Sequence, residues 1–304
     1  MSTPPVNPPR IPVRAGTFYP GNAPDCARAF DEFRAAALEV PAALHGRKIW
    51  GGLAPHAGWR YSGATAWQVF QVLANAPIKP ETIIVFATTH RGDVHEPSLQ
   101  AQGIWKTPVG EVEIDAELAA RMLNLARVQE VPLIDRAQAH ENDHAIEVLL
   151  PILKVTLPQA RFVPIAMPFK ADGAAVGLIA AEAAKQLGRT CAAIASTDLT
   201  HYGPNYYDFA PKGVGMVAHR WSKDVNDAAF LEQVLKLEAN GAAKIARRDR
   251  SACGPAAAAA AIEFSKQNQS REGVLLEHVT SWERGKSDEG EPSDFVGYAG
   301  VVFV

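Results

Sequence analysis

The feature that most constrains this chain is an alternation. From residue 48 onward, short apolar runs take turns with longer amphipathic or alanine-rich stretches. The run ETIIVFATTH (81–90) carries four consecutive apolar residues at its centre. A strand apolar on both sides of its pleat belongs inside a sheet covered on both faces. KIWGGLAPH (48–56), RFVPIAM (161–167) and TCAAIASTDLTHYG (190–203) read as further strands, the first and last running into loops. Helices are expected over about 62–74, over DAELAARMLNLA with Asp115 as its cap, around the proline of AIEVLLPILKVT, and over GAAVGLIAAEAAKQL. WKTPVGEVEI (105–114) reads as a hairpin, and two helical stretches fill about 213–247. The strands GVLLEHVTSW (273–282) and FVGYAGVVFV (295–304) flank the solvated loop ERGKSDEGEPSD. Strand–helix alternation without an internal repeat or a linker predicts one α/β domain, a sheet with helices on both faces.

Composition excludes several functions. With 47% hydrophobic residues among 304, the chain can bury a sizeable core. A net charge of −3 gives no electrostatic case for nucleic acid or an anionic membrane surface. No apolar run approaches the ~20 residues that cross a bilayer. Three scattered cysteines form no disulfide framework, so a reducing cytoplasm is expected. The opening MSTPPVNPPRIPVR (1–14) has prolines where a signal peptide needs an apolar core; it reads as an extended arm before a domain over 15–304.

The chemistry-bearing residues fall where open α/β sheets put their crevice, beyond the carboxyl ends of strands. His56 follows the first core strand, His90 ends the second, and Asp198 and His201 follow the fourth. In SACGPAAAAAAIEF (251–264), proline and the alanine run place a helix start just after Cys253. That thiol has two readings: a small apolar side chain packed under a loop, or a thiolate favoured by the helix end. Imidazoles with a thiolate suit zinc, copper or iron rather than magnesium or calcium.

HENDH (140–144) satisfies the H-E-x-x-H pattern of zinc hydrolases, which needs both histidines on an established helix. Here the preceding DRAQA has little apolar face, and Asn142 and Asp143 favour helix starts. The helix is expected to begin within the motif, leaving Glu141 and His144 three apart on one face as groups beside a site.

AGTFYP (15–20), PHAGWRYSG (55–63), TTHRG (88–92), HENDHAIEVLLP (140–151), STDLTHYG (196–203), ACGP (252–255) and GYAGVVF (297–303) together resemble the Memo family. Its bacterial and archaeal members are called AmmeMemoRadiSam system protein B. The resemblance covers essentially the whole chain. It implies an α/β/α sandwich with a central mixed sheet, similar to class III extradiol dioxygenases. It implies a metal, Fe(II) or copper with zinc as a further candidate, held by His56, His90 and Cys253. His201 then takes the place of the dioxygenase acid–base histidine, with Asp198, Glu141 and His144 nearby, and Phe18, Trp59, Tyr61 and Tyr202 line the pocket. Two departures bear on function. A cysteine stands where the dioxygenases have a carboxylate ligand, so ring cleavage is not simply inherited. Phe18 replaces the tryptophan that animal members carry in the N-terminal motif and that borders their phosphotyrosine-peptide pocket. The expectation is a redox enzyme acting on a small molecule, possible partners being the other AmmeMemoRadiSam proteins. A peptide- or protein-binding module in the same pocket is the alternative.

Overall fold

The computed structural model describes residues 8–206, 212–285 and 290–304. Part of the expected arm (1–7) and of the solvated loop (286–289) therefore lies outside the described residues. The strands are β1 (Gly51–Ala54), β2 (Thr82–Thr88), β3 (Ser98–Leu99), β4 (Ile104–Thr107), β5 (Gly110–Glu113), β6 (Ile134–Asp135), β7 (Arg161–Met167), β8 (Cys191–Ser196), β9 (His201–Tyr202), β10 (Gly273–Thr280) and β11 (Phe295–Phe303). The helices are α1 (Ala23–Ala36), α2 (Trp59–Asn75), α3 (Ala116–Val128), α4 (Leu150–Thr156), α5 (Gly173–Leu187), α6 (Gly215–Trp221), α7 (Ala228–Leu235), α8 (Ala239–Asp249), α9 (Pro255–Gln267) and α10 (Ser281–Arg284).

The main sheet runs β10-β11-β1-β8-β2-β7-β3-β6, with β9 on β11 and β4-β5 forming a separate hairpin. Its centre, β1-β8-β2-β7, is parallel, while β11 and β3 join it antiparallel. The sheet is therefore mixed. Alternate residues of β2 serve opposite faces. Ile84 and Phe86 join the core beneath α3, α5 and α9, whereas Ile83 and Val85 join the core beneath α1, α2 and α4. Both faces are covered, which is why the central strands carry no polar alternation.

The alanine run of α9 now has a cause. Ala256 to Ala261 are all buried, because α9 lies between the sheet and α5. α5 comes so close that a Cβ on Gly173 or Gly177 would stand 1.9 Å or 2.3 Å from the carbonyls of Ala256 or Ala260. Only small side chains allow two helices that approach.

Several boundaries differ from the sequence reading. α2 starts at Trp59, because Gly58 turns the chain and the Trp59 amide bonds to the Phe18 carbonyl. Asp115 does cap α3, its carboxylate accepting from the Leu118 amide. The strand expected to reach residue 282 stops at Thr280, which caps α10 through a reciprocal pair with Glu283. The region 213–247 holds α6, α7 and most of α8, with a π-helical turn at Ser222–Asp227. α1 went unread; its N-cap is Asn22, bonded to the Asp25 amide.

Candidate metal centre

Three neighbouring parallel strands build the site. In β1-β8-β2, Ser196 at the end of β8 lies level with Ala54 on one side and Ala87 on the other. Two residues past Ala54 comes His56, three past Ala87 comes His90, and two past Ser196 comes Asp198. His144 arrives from the loop before α4. Among the described residues, His56, His90 and His144 each offer a ring nitrogen, all within 4.8 Å of one another. The His90 and His144 rings stack at 4.4 Å between centroids.

The hydrogen bonds behind these rings fix their protons. The Ser196 hydroxyl donates to the Ala145 carbonyl at 2.6 Å, so its oxygen accepts from His56 Nδ1 at 2.9 Å. His56 Nε2 is then the lone-pair nitrogen. Asp143 accepts from the His90 amide at 2.7 Å and faces His90 Nδ1 at 3.2 Å, the carboxylate–histidine arrangement that orients metal-binding imidazoles. Burial opposes charge on Asp143, yet His90 and the Ala145 amide hold its carboxyl below the usual range. Burial and the neighbouring imidazole of His90 push His56 well below its ordinary value. Burial, with His56 and His90 beside it, lowers His144 to about 3. His56 and His144 are neutral at pH 7, as metal donors must be.

Cys253 touches one member of this cluster, His56, and is not among the donors that all lie within 4.8 Å of one another. Its Sγ lies 3.6 Å from His56 Nε2 and accepts from the Asp198 amide at 3.2 Å. An imidazole and a thiolate sharing one tetrahedral ion at about 2.1 and 2.3 Å stand roughly 3.6 Å apart. The thiol itself is not activated by the helix start: burial and the Asp198 carboxylate push it up to about 12. Desolvation dominates, so the thiol stays protonated at neutral pH unless a cation joins it.

The cavity beside the cluster holds about 380 Å³. His201 and Asp198 are on its wall, with Phe18, Tyr61, Tyr206 and Tyr298. His201 Nδ1 donates to the Leu199 carbonyl at 3.0 Å, which fixes the ring's orientation. Asp198 accepts from the His56 amide at 2.7 Å, and burial raises its pKa.

Three expected members stand elsewhere. Trp59 is core, packed on Tyr19, Phe30 and Phe33 with its indole N–H on the Val148 carbonyl. Tyr202 is also buried, stacked on Phe295 with its hydroxyl on Gly213. Glu141 is exposed and borders a different cavity, next to the arm. The segment 140–144 is no helix: a 3-10 turn ends at His140, Glu141 is extended and Asn142 has φ of +59°. Glu141 and His144 thus do not share a helical face. His140 turns the other way, buried edge-on to Trp105 at 5.4 Å, so the zinc-hydrolase arrangement is not formed. Sequence reading missed Asp143, Ser196, Tyr206 and Tyr298. Asp143 alone carried a signal, as the residue beside a histidine in a motif dense in donors.

No helix among the described residues is long and apolar enough to cross a membrane. Compared with known proteins, the chain is 32% identical to a MEMO1 family protein of Pyrococcus abyssi, over 96% of this chain and 98% of that one. It is 33% identical to a MEMO1 family protein of Methanopyrus kandleri, over 97% and 98%. A solved structure, that of the uncharacterized protein JW3007 from Escherichia coli K12, has 13% identity and a TM-score of 0.46, covering 78% of this chain and 92% of that one. The family described as Memo-like protein matches residues 10–302. The chain therefore belongs to the Memo family.

Proposed function

We propose that the protein is a metal-dependent redox protein, binding non-haem iron or copper at the histidine cluster and acting on a small molecule in the adjoining cavity. The observation that carries this reading is the convergence of His56, His90 and His144, with Ser196 and Asp143 holding the outer nitrogens of the first two. His56 and His90 are ligands in this reading. Cys253 completes the set in the resemblance to the family, and its 3.6 Å approach to His56 suits that role; His144 is the donor the geometry adds. Bound iron or copper would supply one-electron chemistry and an open position for substrate.

The chain's own groups do the rest. Phe18 and Tyr61 shape the cavity and exclude water from one side of a bound molecule. His201 is the wall group placed to exchange a proton with a substrate, its ring oriented by the Leu199 carbonyl. Asp198 holds the His56 backbone and faces the same space. A pure peptide-binding module needs no such acid–base pair. Zinc would fit the donors as well but would not support redox turnover.

The test is metal stoichiometry on protein purified without oxygen and offered Fe(II), Cu(II) and Zn(II) separately. One equivalent of iron or copper, lost in His56→Ala and retained in His201→Ala, is expected. Comparing His144→Ala with Cys253→Ser identifies the remaining ligand. Retention of only zinc, or full metal content in His56→Ala, overturns the reading.

A further inference from the structure

Glu147 is buried and heavily used, yet it is not among the residues that line the cavity. Its carboxylate accepts from the Val13 amide at 2.9 Å, the Arg14 amide at 2.7 Å, the Tyr19 hydroxyl at 3.0 Å and Arg10 Nη1 at 2.8 Å. Every one of these donors belongs to the N-terminal stretch 10–19. Arg10 has further work. Its Nε donates to the His140 carbonyl at 3.1 Å and its Nη2 to the Asp143 carbonyl at 2.8 Å, while its guanidinium lies 4.1 Å over the Trp105 ring.

The pair thus ties two segments together at several points. One segment, 140–147, supplies Asp143 and His144. The other supplies Phe18, whose ring meets His144 edge-on at 4.7 Å between centroids. The pair is almost dry, with the Arg10 side chain 10% and the Glu147 side chain 1% exposed. Such an ion pair adds little net stability over a hydrophobic replacement, so stability alone does not account for it. Its geometry does something a hydrophobic contact cannot: it fixes backbone carbonyls and amides on both sides in register.

We infer that Arg10 and Glu147 are positioning residues for the histidine site, making the N-terminal arm part of the apparatus that aims Asp143 and His144 and seats Phe18 over the cavity. This rests on the metal reading of the cluster. Partners one step behind a metal ligand commonly govern its affinity about ten- to a hundredfold. Arg10 and Glu147 act one contact further back, behind Asp143, so the lower end of that scale, about tenfold, is expected.

The test uses full-length Arg10→Lys and Glu147→Gln with Co(II) as the probe. Lysine keeps the charge but offers one ammonium where three acceptors lie in different directions. Circular dichroism of the metal-free variants confirms folding; Co(II) titration followed by visible absorption then gives affinity and coordination. The expected result is affinity lower by about tenfold, with altered visible bands. Hydrogen exchange should also quicken at the amides of Val13, Arg14 and Ala145 but not in β8. Wild-type Co(II) affinity and bands in a folded Arg10→Lys protein overturn the inference, whatever the exchange shows. Should the wild type bind neither Co(II) nor the iron or copper offered above, the metal reading falls. The coupling of arm and site segment then stands on the exchange of Ala145, and unchanged exchange there overturns it too.

Discussion

His140 and His144 sit four residues apart in one motif and do opposite things. His144 joins the cluster, while His140 is buried against Trp105 and lowered to about 3, chiefly by desolvation. His140→Ala should leave metal content unchanged, and His56→Ala should abolish it; the reverse result would exchange their roles. His140 also has a pH consequence. Its value is near 3 in the folded chain and about 6.5 when unfolded, so between those limits the unfolded chain binds more protons. Stability is complete above pH 6.5 and falls as pH drops toward 3, by on the order of a few kcal/mol from this group. Urea unfolding across that range should show a shallower acid limb in His140→Gln than in the wild type. Cys253 yields a proton count. Raised to about 12, its thiol must lose a proton to become a ligand, whereas His56 and His144 are already neutral. Calorimetry of metal binding in buffers of different ionisation enthalpy should show about one proton more released by the wild type than by Cys253→Ser. Equal release would leave the thiol out of the ligand set. His56, His90, Asp198 and His201 were legible because strand ends announce themselves in sequence. Ser196 was not, since its role depends on which strand lies between two others, and Asp143, though flagged by its motif, has a role that only the turn at 140–144 reveals.

At the scale of elements, the alanine-rich stretch of α9 was legible as a helix but not as an internal layer. Being alanine on every side says that something comes close all round; it does not say what. The partner proves to be α5, read from sequence only as a helix. Gly177→Ala tests the approach. An alanine gains about 1 kcal/mol of helix propensity, but its Cβ would stand 2.3 Å from a backbone carbonyl that has no rotamer to yield. Overpacking of this kind typically costs 1–3 kcal/mol, so the net effect is destabilising and the melting midpoint should fall by a few degrees. A midpoint raised by the substitution would mean the two helices separate readily. The helices of 213–247 were the least legible, because a π-helical turn has no sequence period of its own. Trp59 and Tyr202 show the same limit: an aromatic beside a site motif reads alike whether it faces cavity or core, and packing alone decides.

Across the whole molecule, two large apolar clusters share one sheet, and residues of β1, β2, β8 and β11 enter both. Neither cluster can be lost without exposing the other's strands. Heat or denaturant should therefore unfold the chain in one transition where unfolding is reversible, followed by both circular dichroism and tryptophan fluorescence. Two separated transitions would indicate independent units. The strand order has a further consequence. His56 and His90 leave strands that do not touch each other; β8 lies between them, so the distance between their roots is two strand spacings, roughly 10 Å. That span belongs to the backbone hydrogen-bond ladder, which no loop substitution can stretch. The cavity wall, by contrast, is mixed: Phe18, Tyr206 and Asp294 come from loops, while Tyr61 stands on α2 and Tyr298 on β11. The spacing of two of the histidines and part of the wall around them are thus written in different parts of the chain. The loop-borne part of the wall can change while the separation of the His56 and His90 roots stays constant.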